Sequence, residues 1–271
     1  MPSPVLPLLI EPQALYALLN ADALGDNVRL LDLSGQEQYL NAHVPGAVHL
    51  PASRTASPAP RPGLLPAMPA LEQMLGELGH HPDLHYVIYD DEGGGWAGRF
   101  IWILDSIGHR HYSYLNGGIK AWEQDGLPTE TQVNQVPATK PVLTLTTGMT
   151  IDAEELKDSL AQADLVIWDA RSPAEHRDEK RFAERGGHIP GAINFEWTAG
   201  MDPQRGLRLR EDLQERLAQL GITADIVTHC QTHHRSGFTY LAAKILGYPR
   251  IRAYAGSWSE WGNLPDFPIE R

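Results

Sequence analysis

Among 271 residues there is one cysteine, Cys230. A lone thiol excludes an internal disulfide and every zinc site built on two or more cysteines. It suits a reducing compartment, so the cytoplasm is the expected location. Basic residues are also scarce: 22 Lys+Arg stand against 34 Asp+Glu, a formal net charge of -12. A nucleic-acid partner would need a basic face to meet phosphates, so none is expected. No apolar run approaches the ~18 residues of a membrane span, so no membrane partner is expected either. The opening MPSPVLPLLIEP has no basic n-region, and prolines break its apolar stretch; no signal peptide is read there. The glycine run at 93–95 lacks the Lys-Ser/Thr that follows in a phosphate loop, and reads as a tight turn. The rest, 42% hydrophobic and 21% charged, is ordinary for a globular chain of about two domains.

The chain repeats itself. HVPGA (43–47) recurs as HIPGA (188–192), and each follows an apolar run ending in aspartate, VRLLDL with Asp32 and LVIWDA with Asp169. Gly98, Gly108, Gly117 and Trp122 match Gly237, Gly247, Gly256 and Trp261 at one constant offset. In that register Asp91 takes the place of Cys230. The second copy carries an insertion around RDEKRFAE (177–184) and a later deletion. Such self-similarity marks a duplicated structural unit. The expected domains are 1–130 and 149–271, joined by a polar, proline-containing linker at 131–148 with no helical periodicity.

Within each copy, short β-rich apolar runs alternate with helical patterns. VRLLDL, LVIWDA, YVIYD (86–90) and IVTHC (226–230) read as buried strands. Segments 96–108, 153–163, 211–221 and 236–247 read as helices, with Gly247 suited to a left-handed position after the last. Alternation of this kind predicts an α/β fold with a largely parallel sheet, whose ligands bind at the carboxyl ends of the strands. Cys230 lies at such an end.

The local sequence is IVTHC-QTHH-RSGFTYLAAKILG. A strand ends, residues 230–235 curl, and a helix begins. Inward backbone N–H groups and the helix dipole favour an anion there, and a thiolate in that cradle has a lowered pKa. Cysteines are often inert core residues, but this one stands at a strand-to-helix turn with no acid between it and Arg235. His233, His234 and Arg235 add positive character, although either histidine can equally be a solvated loop residue. A metal held by His229, Cys230, His233 and His234 is disfavoured, because the cluster lacks an acid and adjacent histidines diverge. The first copy, DEGGGW, has two acids and no thiol, and its acids would repel an anion. One copy is therefore expected to be catalytic and the other to serve as scaffold and pocket wall.

The tandem repeat, the HIPGA motif, a cysteine only in the second copy and the closing GSWSEW (256–261) together resemble the rhodanese family, in a tandem-domain bacterial form with a CQTHHR loop. The resemblance implies two rhodanese-like domains and a thiosulfate:cyanide-type sulfurtransferase, without a metal or other cofactor. Cys230 would attack the outer sulfur of thiosulfate, become a persulfide, and pass that sulfur to cyanide, a thiol or a protein acceptor. Arg235, Gln231, Thr232, His233, His234 and Ser236 would line the donor site, with Asp169 orienting Arg235. Trp197, Trp258 and Trp261 are candidates for the pocket wall, or plain core. Rhodaneses often bind the donor with an arginine shortly after the DxR motif. That position falls near Glu175 here, leaving Arg171, Arg177, Arg181 and Arg185 as substitutes. The loop also differs from the Cys-Gly-Ser-Gly-Val-Thr of mercaptopyruvate enzymes, so thiosulfate is the expected donor.

Two alternatives remain. A persulfide carrier would hand its sulfur to a partner protein by the same chemistry. Dual-specificity phosphatases share this fold and begin their loop with His-Cys, but Arg235 arrives one residue earlier than theirs. A shorter loop closes over a sulfur atom and leaves little room for phosphate.

Overall fold

The structure is a computed structural model that describes residues 6–223 and 225–271. The amino-terminal stretch in which no leader was read begins outside the described residues.

The apolar β-rich runs become strands and the amphipathic stretches between them become helices. In the first half, β1 (Leu9–Ile10), β2 (Val28–Asp32), β3 (Val48–His49), β4 (His85–Tyr89) and β5 (Tyr112–Leu115) form a sheet ordered β1-β5-β4-β2-β3. Its helices are α1 (Pro12–Asn20), α2 (Gln36–Asn41), α3 (Met68–Glu77), α4 (Gly95–Ser106) and α5 (Gly118–Gln124). In the second half, β6 (Leu165–Asp169), β7 (Ile193–Asn194), β10 (Asp225–His229) and β11 (Arg250–Ala253) form a sheet ordered β11-β10-β6-β7. Between them β8 (Met201–Asp202) and β9 (Arg208–Leu209) make a separate antiparallel ribbon. The helices here are α6 (Ala153–Ser159), α7 (Pro173–His176), α8 (Leu213–Gln219), α9 (Arg235–Ile245) and α10 (Ser257–Trp261). Every pairing within the two larger sheets is parallel, as expected of βαβ units.

The repeat is visible in three dimensions. His43 pairs through its backbone with Glu130, and His188 does the same with Glu270. The indole N–H of Trp122 donates to the Pro128 carbonyl, and that of Trp261 to the Pro268 carbonyl, both at 2.8 Å. Each sheet is covered on its outer face by its own core, one around Trp122 and one around Trp261. A third core runs continuously between the halves, from Met74, Ile88 and Phe100 to Trp168, Phe238 and Leu241. Helices α4 and α9 cross at its centre. Cβ atoms at Gly98 or Gly237 would lie 2.1 and 2.4 Å from carbonyl oxygens of the facing helix, so this crossing requires glycine on both sides.

Residues 131–148 contain no helix or strand, but they do not hang free. They are strapped along the first domain: the Thr139 N–H donates to the Gly76 carbonyl and the Thr146 N–H to that of Ser106, both at 2.8 Å.

A candidate active site at the end of the second sheet

Strand β10 ends at His229, so Cys230 is the first residue beyond the sheet, and α9 starts at Arg235. The four residues between turn sharply, with His233 held in the left-handed region at φ 56°, an uncommon conformation for a residue with a Cβ. Helix α10 clamps the loop from one side. The Cys230 N–H donates to Ser257 Oγ (3.3 Å), the Trp258 N–H donates to the Cys230 carbonyl (2.9 Å), and the Ser259 N–H to the Gln231 carbonyl (3.0 Å). Ser257 was not singled out beforehand; its signal was the closing GSWSEW. Trp258 and Trp261 are buried core, whereas Trp197 is half-buried against Phe238 and His234.

The Cys230 thiol is 1% exposed. Burial raises its pKa, but Arg235, the Ser236 hydroxyl and the N–H groups of Ser236 and Thr232 pull it down, and the net shift is downward. That balance favours an anion on sulfur at the mouth of α9. His233 Nδ1 lies 2.8 Å from Ser236 Oγ. With the proton on Nδ1, the ring donates to Ser236 and leaves the hydroxyl hydrogen for the sulfur. Burial pushes His233 well below the ordinary histidine value, so the ring is neutral at neutral pH and carries no proton to give to a leaving group.

Arg235 makes a bidentate pair with Glu175, Nη1 to Oε2 at 2.6 Å and Nη2 to Oε1 at 2.8 Å. This corrects the expectation that Asp169 orients it. Asp169 is buried, holds Arg171 through 2.6 and 2.9 Å bonds, and accepts a contact from His176 Nδ1 at 3.0 Å. Glu175 thus stands where a donor-binding arginine was sought and neutralises the loop arginine instead. It also closes a capping box with Ser172 at the start of α7, the one local signal that marked it.

The four substitute arginines are all engaged. Arg171 lies on Asp169, Arg177 on Glu179 and Arg181 on Asp178, while Arg185 donates to carbonyls at 261–267. The insertion folds beside the loop: Gln231 Nε2 donates to the Phe182 carbonyl at 3.1 Å. His234 stacks on Trp96 with centroids 3.9 Å apart and contacts Glu92, both from the first domain. It therefore belongs to the domain junction and is not a freely solvated loop histidine. Thr232 and Ser236 meet the sulfur through the donors already named.

The first domain has the same strand–loop–helix, and β4 ends at Tyr89, so the residue in the place of Cys230 is Asp90, not Asp91. The constant offset misplaced it because α4 is one residue longer than α9, 12 against 11. Asp90 does not repel the cradle; it fills it. Its carboxylate accepts the N–H groups of Glu92 (3.2 Å), Gly94 (2.8 Å) and Ala97 (3.0 Å). Burial, aided by Glu92, still raises it to about 7. Asp91 instead accepts from the Gly35 N–H at 3.2 Å.

Comparison with known proteins accords with this geometry. The rhodanese-like domain model matches twice, at residues 11–125 and 152–264. A thiosulfate sulfurtransferase of Pseudomonas aeruginosa is 55% identical over 269 residues, covering 98% of this chain and 97% of its own. The sulfur carrier protein TtuD of Thermus thermophilus is 30% identical over 86% of this chain and 87% of its own. Among solved structures, the anaerobic ergothioneine biosynthesis enzyme of Chlorobium limicola aligns with a TM-score of 0.85 at 22% identity, over 97% of this chain and 70% of that one. That last likeness speaks for the fold alone. With both halves matched, and a relative this similar along nearly its whole length, the chain belongs to the rhodanese-like family.

Proposed function

We propose that the chain is a thiosulfate sulfurtransferase that works through a persulfide on Cys230. The observation that carries this reading is a buried thiol, lowered in pKa, facing the Ser236 hydroxyl and the N–H groups of Ser236 and Thr232, with no carboxylate hydrogen-bonded to it among the described residues. The Cys230 thiolate attacks the outer sulfur of thiosulfate. The new S–S bond forms as the old one breaks, its electron pair leaves with sulfite, and a persulfide anion remains. Sulfite is a stable leaving anion, so no general acid is needed, in keeping with a neutral His233. Cyanide or a thiolate then takes the terminal sulfur and returns the thiolate. The same donors hold the negative charge first on the cysteine sulfur and then on the terminal one.

Arg235 is a cation that lowers the Cys230 thiol, and the donor anion meets it already partly neutralised by Glu175. Substituting Cys230→Ser is expected to abolish thiosulfate-dependent thiocyanate release; retained release would remove Cys230 from the mechanism. The 30% identity to a sulfur carrier supports a second reading, in which the physiological acceptor is a protein. Slow cyanide turnover with fast transfer to a protein acceptor would select it. Hydrolysis of an aryl phosphate that depends on Cys230 would instead mean a phosphatase.

A further inference from the structure

Charged and titratable groups from several elements surround the Cys230 loop. Arg235 comes from α9, Glu175 from α7, Asp169 and His229 from the ends of β6 and β10, His233 and His234 from the loop, and Arg99 from α4 of the other domain. Most of these charges cancel. Arg235 is paired with Glu175 and Arg171 with Asp169, while burial holds His229 and His233 neutral, and His234 contacts Glu92.

Arg99 does not fit this pattern. It is 1% exposed, and among the described residues no carboxylate pairs with it. Its donors all go to oxygens: Nη2 to the carbonyls of Thr55 (2.8 Å), Pro62 (3.1 Å) and Leu64 (3.1 Å), and Nε to Thr55 O (3.1 Å) and Oγ1 (3.2 Å). Nη1 donates to Gly63 O (2.9 Å) and reaches across the domain junction to His233 O (3.2 Å) and Thr232 O (3.5 Å) of the CQTHHR loop. A buried cation without a counter-ion is costly, even when fully hydrogen-bonded. Burial lowers this guanidinium and the Cys230 thiolate partly offsets that, leaving it at about 10, so it remains charged at neutral pH.

The bonds to the loop also have a geometric effect. A planar trans peptide carries its N–H opposite its carbonyl. With the Thr232 and His233 carbonyls drawn toward Arg99, the N–H groups of His233 and His234 that follow them point away from it. The approach is close enough that a Cβ at Gly63 would lie 3.2 Å from the Thr232 carbonyl carbon and 2.0 Å from the Ala255 oxygen, so the bracing segment needs glycine there.

We propose that Arg99, supplied by the domain without a thiol, is the positioning residue and counter-charge for the sulfur of Cys230. This rests on Cys230 being the sulfur-carrying thiol, but its test does not require sulfur transfer. The measurement is the pH profile of Cys230 alkylation by iodoacetamide in the full chain. Arg99→Met is expected to raise the midpoint by about one unit, which means roughly ten-fold less thiolate at neutral pH. It should lower kcat for sulfur transfer with little change in the thiosulfate KM. Arg99→Lys, which keeps the charge, should restore most of the midpoint. An unchanged midpoint in folded Arg99→Met would overturn the inference while leaving the persulfide reading intact. Should Arg99→Met not fold, the guanidinium Nε resonance of Arg99 can be followed by NMR in the unsubstituted protein. A step at the thiol midpoint, absent in Cys230→Ser, is expected; no step would overturn the inference.

Discussion

Two oxygens of Glu175 set how much of the Arg235 charge reaches the sulfur. Arg235→Ala removes the cation and leaves a carboxylate of which only 4% is exposed without its partner. Breaking such a pair is expected to cost about 3 kcal/mol of stability, to raise the Cys230 alkylation midpoint, and to raise the thiosulfate KM. Glu175→Gln acts with the opposite sign at the sulfur: the guanidinium is no longer neutralised, so the midpoint falls. Alkylation profiles of both variants check this, and a shift of equal sign in the two would refute it. The Arg235 half of the pair was legible in the sequence, because a cation five positions after the thiol opens the helix. The Glu175 half was not. Its capping box announced a helix start, whereas its bond to Arg235 spans 60 residues and depends on how β6 and β10 lie side by side.

Helices α4 and α9 carry the two equivalent loops, and their crossing joins the domains. Gly98→Ala would place a Cβ 2.1 Å from the Gly237 carbonyl oxygen. Overpacking of this kind costs about 1–3 kcal/mol, and here it pushes on backbone, which cannot swing aside as a side chain can. Thermal unfolding is therefore expected to shift down, with a parallel loss of sulfurtransfer although Gly98 never touches Cys230. An unaltered midpoint of unfolding and unaltered activity would show that the crossing tolerates more than its geometry allows. The matched glycines correctly flagged these helices as equivalent, because each glycine marks a close approach or a helix end. They misled at the loop, where one extra residue in α4 moves the counterpart of Cys230 from Asp91 to Asp90. The strand ends settle it: β4 stops at Tyr89, one residue before Asp90, just as β10 stops at His229, one residue before Cys230.

Taken as one molecule, the chain buries several histidines in neutral form. Burial lowers His80, His85 and His229 to about 4, whereas an unfolded histidine titrates near ~6.5. Between those values the unfolded chain binds more protons than the folded one, so stability present above about 6.5 is lost as pH falls toward about 4. Asp90, raised to about 7, and Asp32, also raised by burial, act oppositely and cost stability as pH rises through their own windows, but among the described residues they are two groups against six lowered histidines, His109, His188 and His233 being the others. Thermal scans from pH 7 to 4 are expected to show a falling midpoint, and His80→Gln to flatten the slope; a flat wild-type profile would contradict this. The expected division of labour between the halves rests on a thiol present in one copy only. That the thiol-free half reaches across the junction, through His234 and Arg99, was not readable, because contacts 133 and 142 residues apart leave no local pattern. The central claim is that Cys230 carries one extra sulfur atom, and intact mass spectrometry of the full chain tests it most directly. Treatment with thiosulfate should add about 32 Da, the mass of one sulfur, and cyanide should remove it. No mass gain with any sulfur donor, or the same gain in Cys230→Ser, would contradict the account.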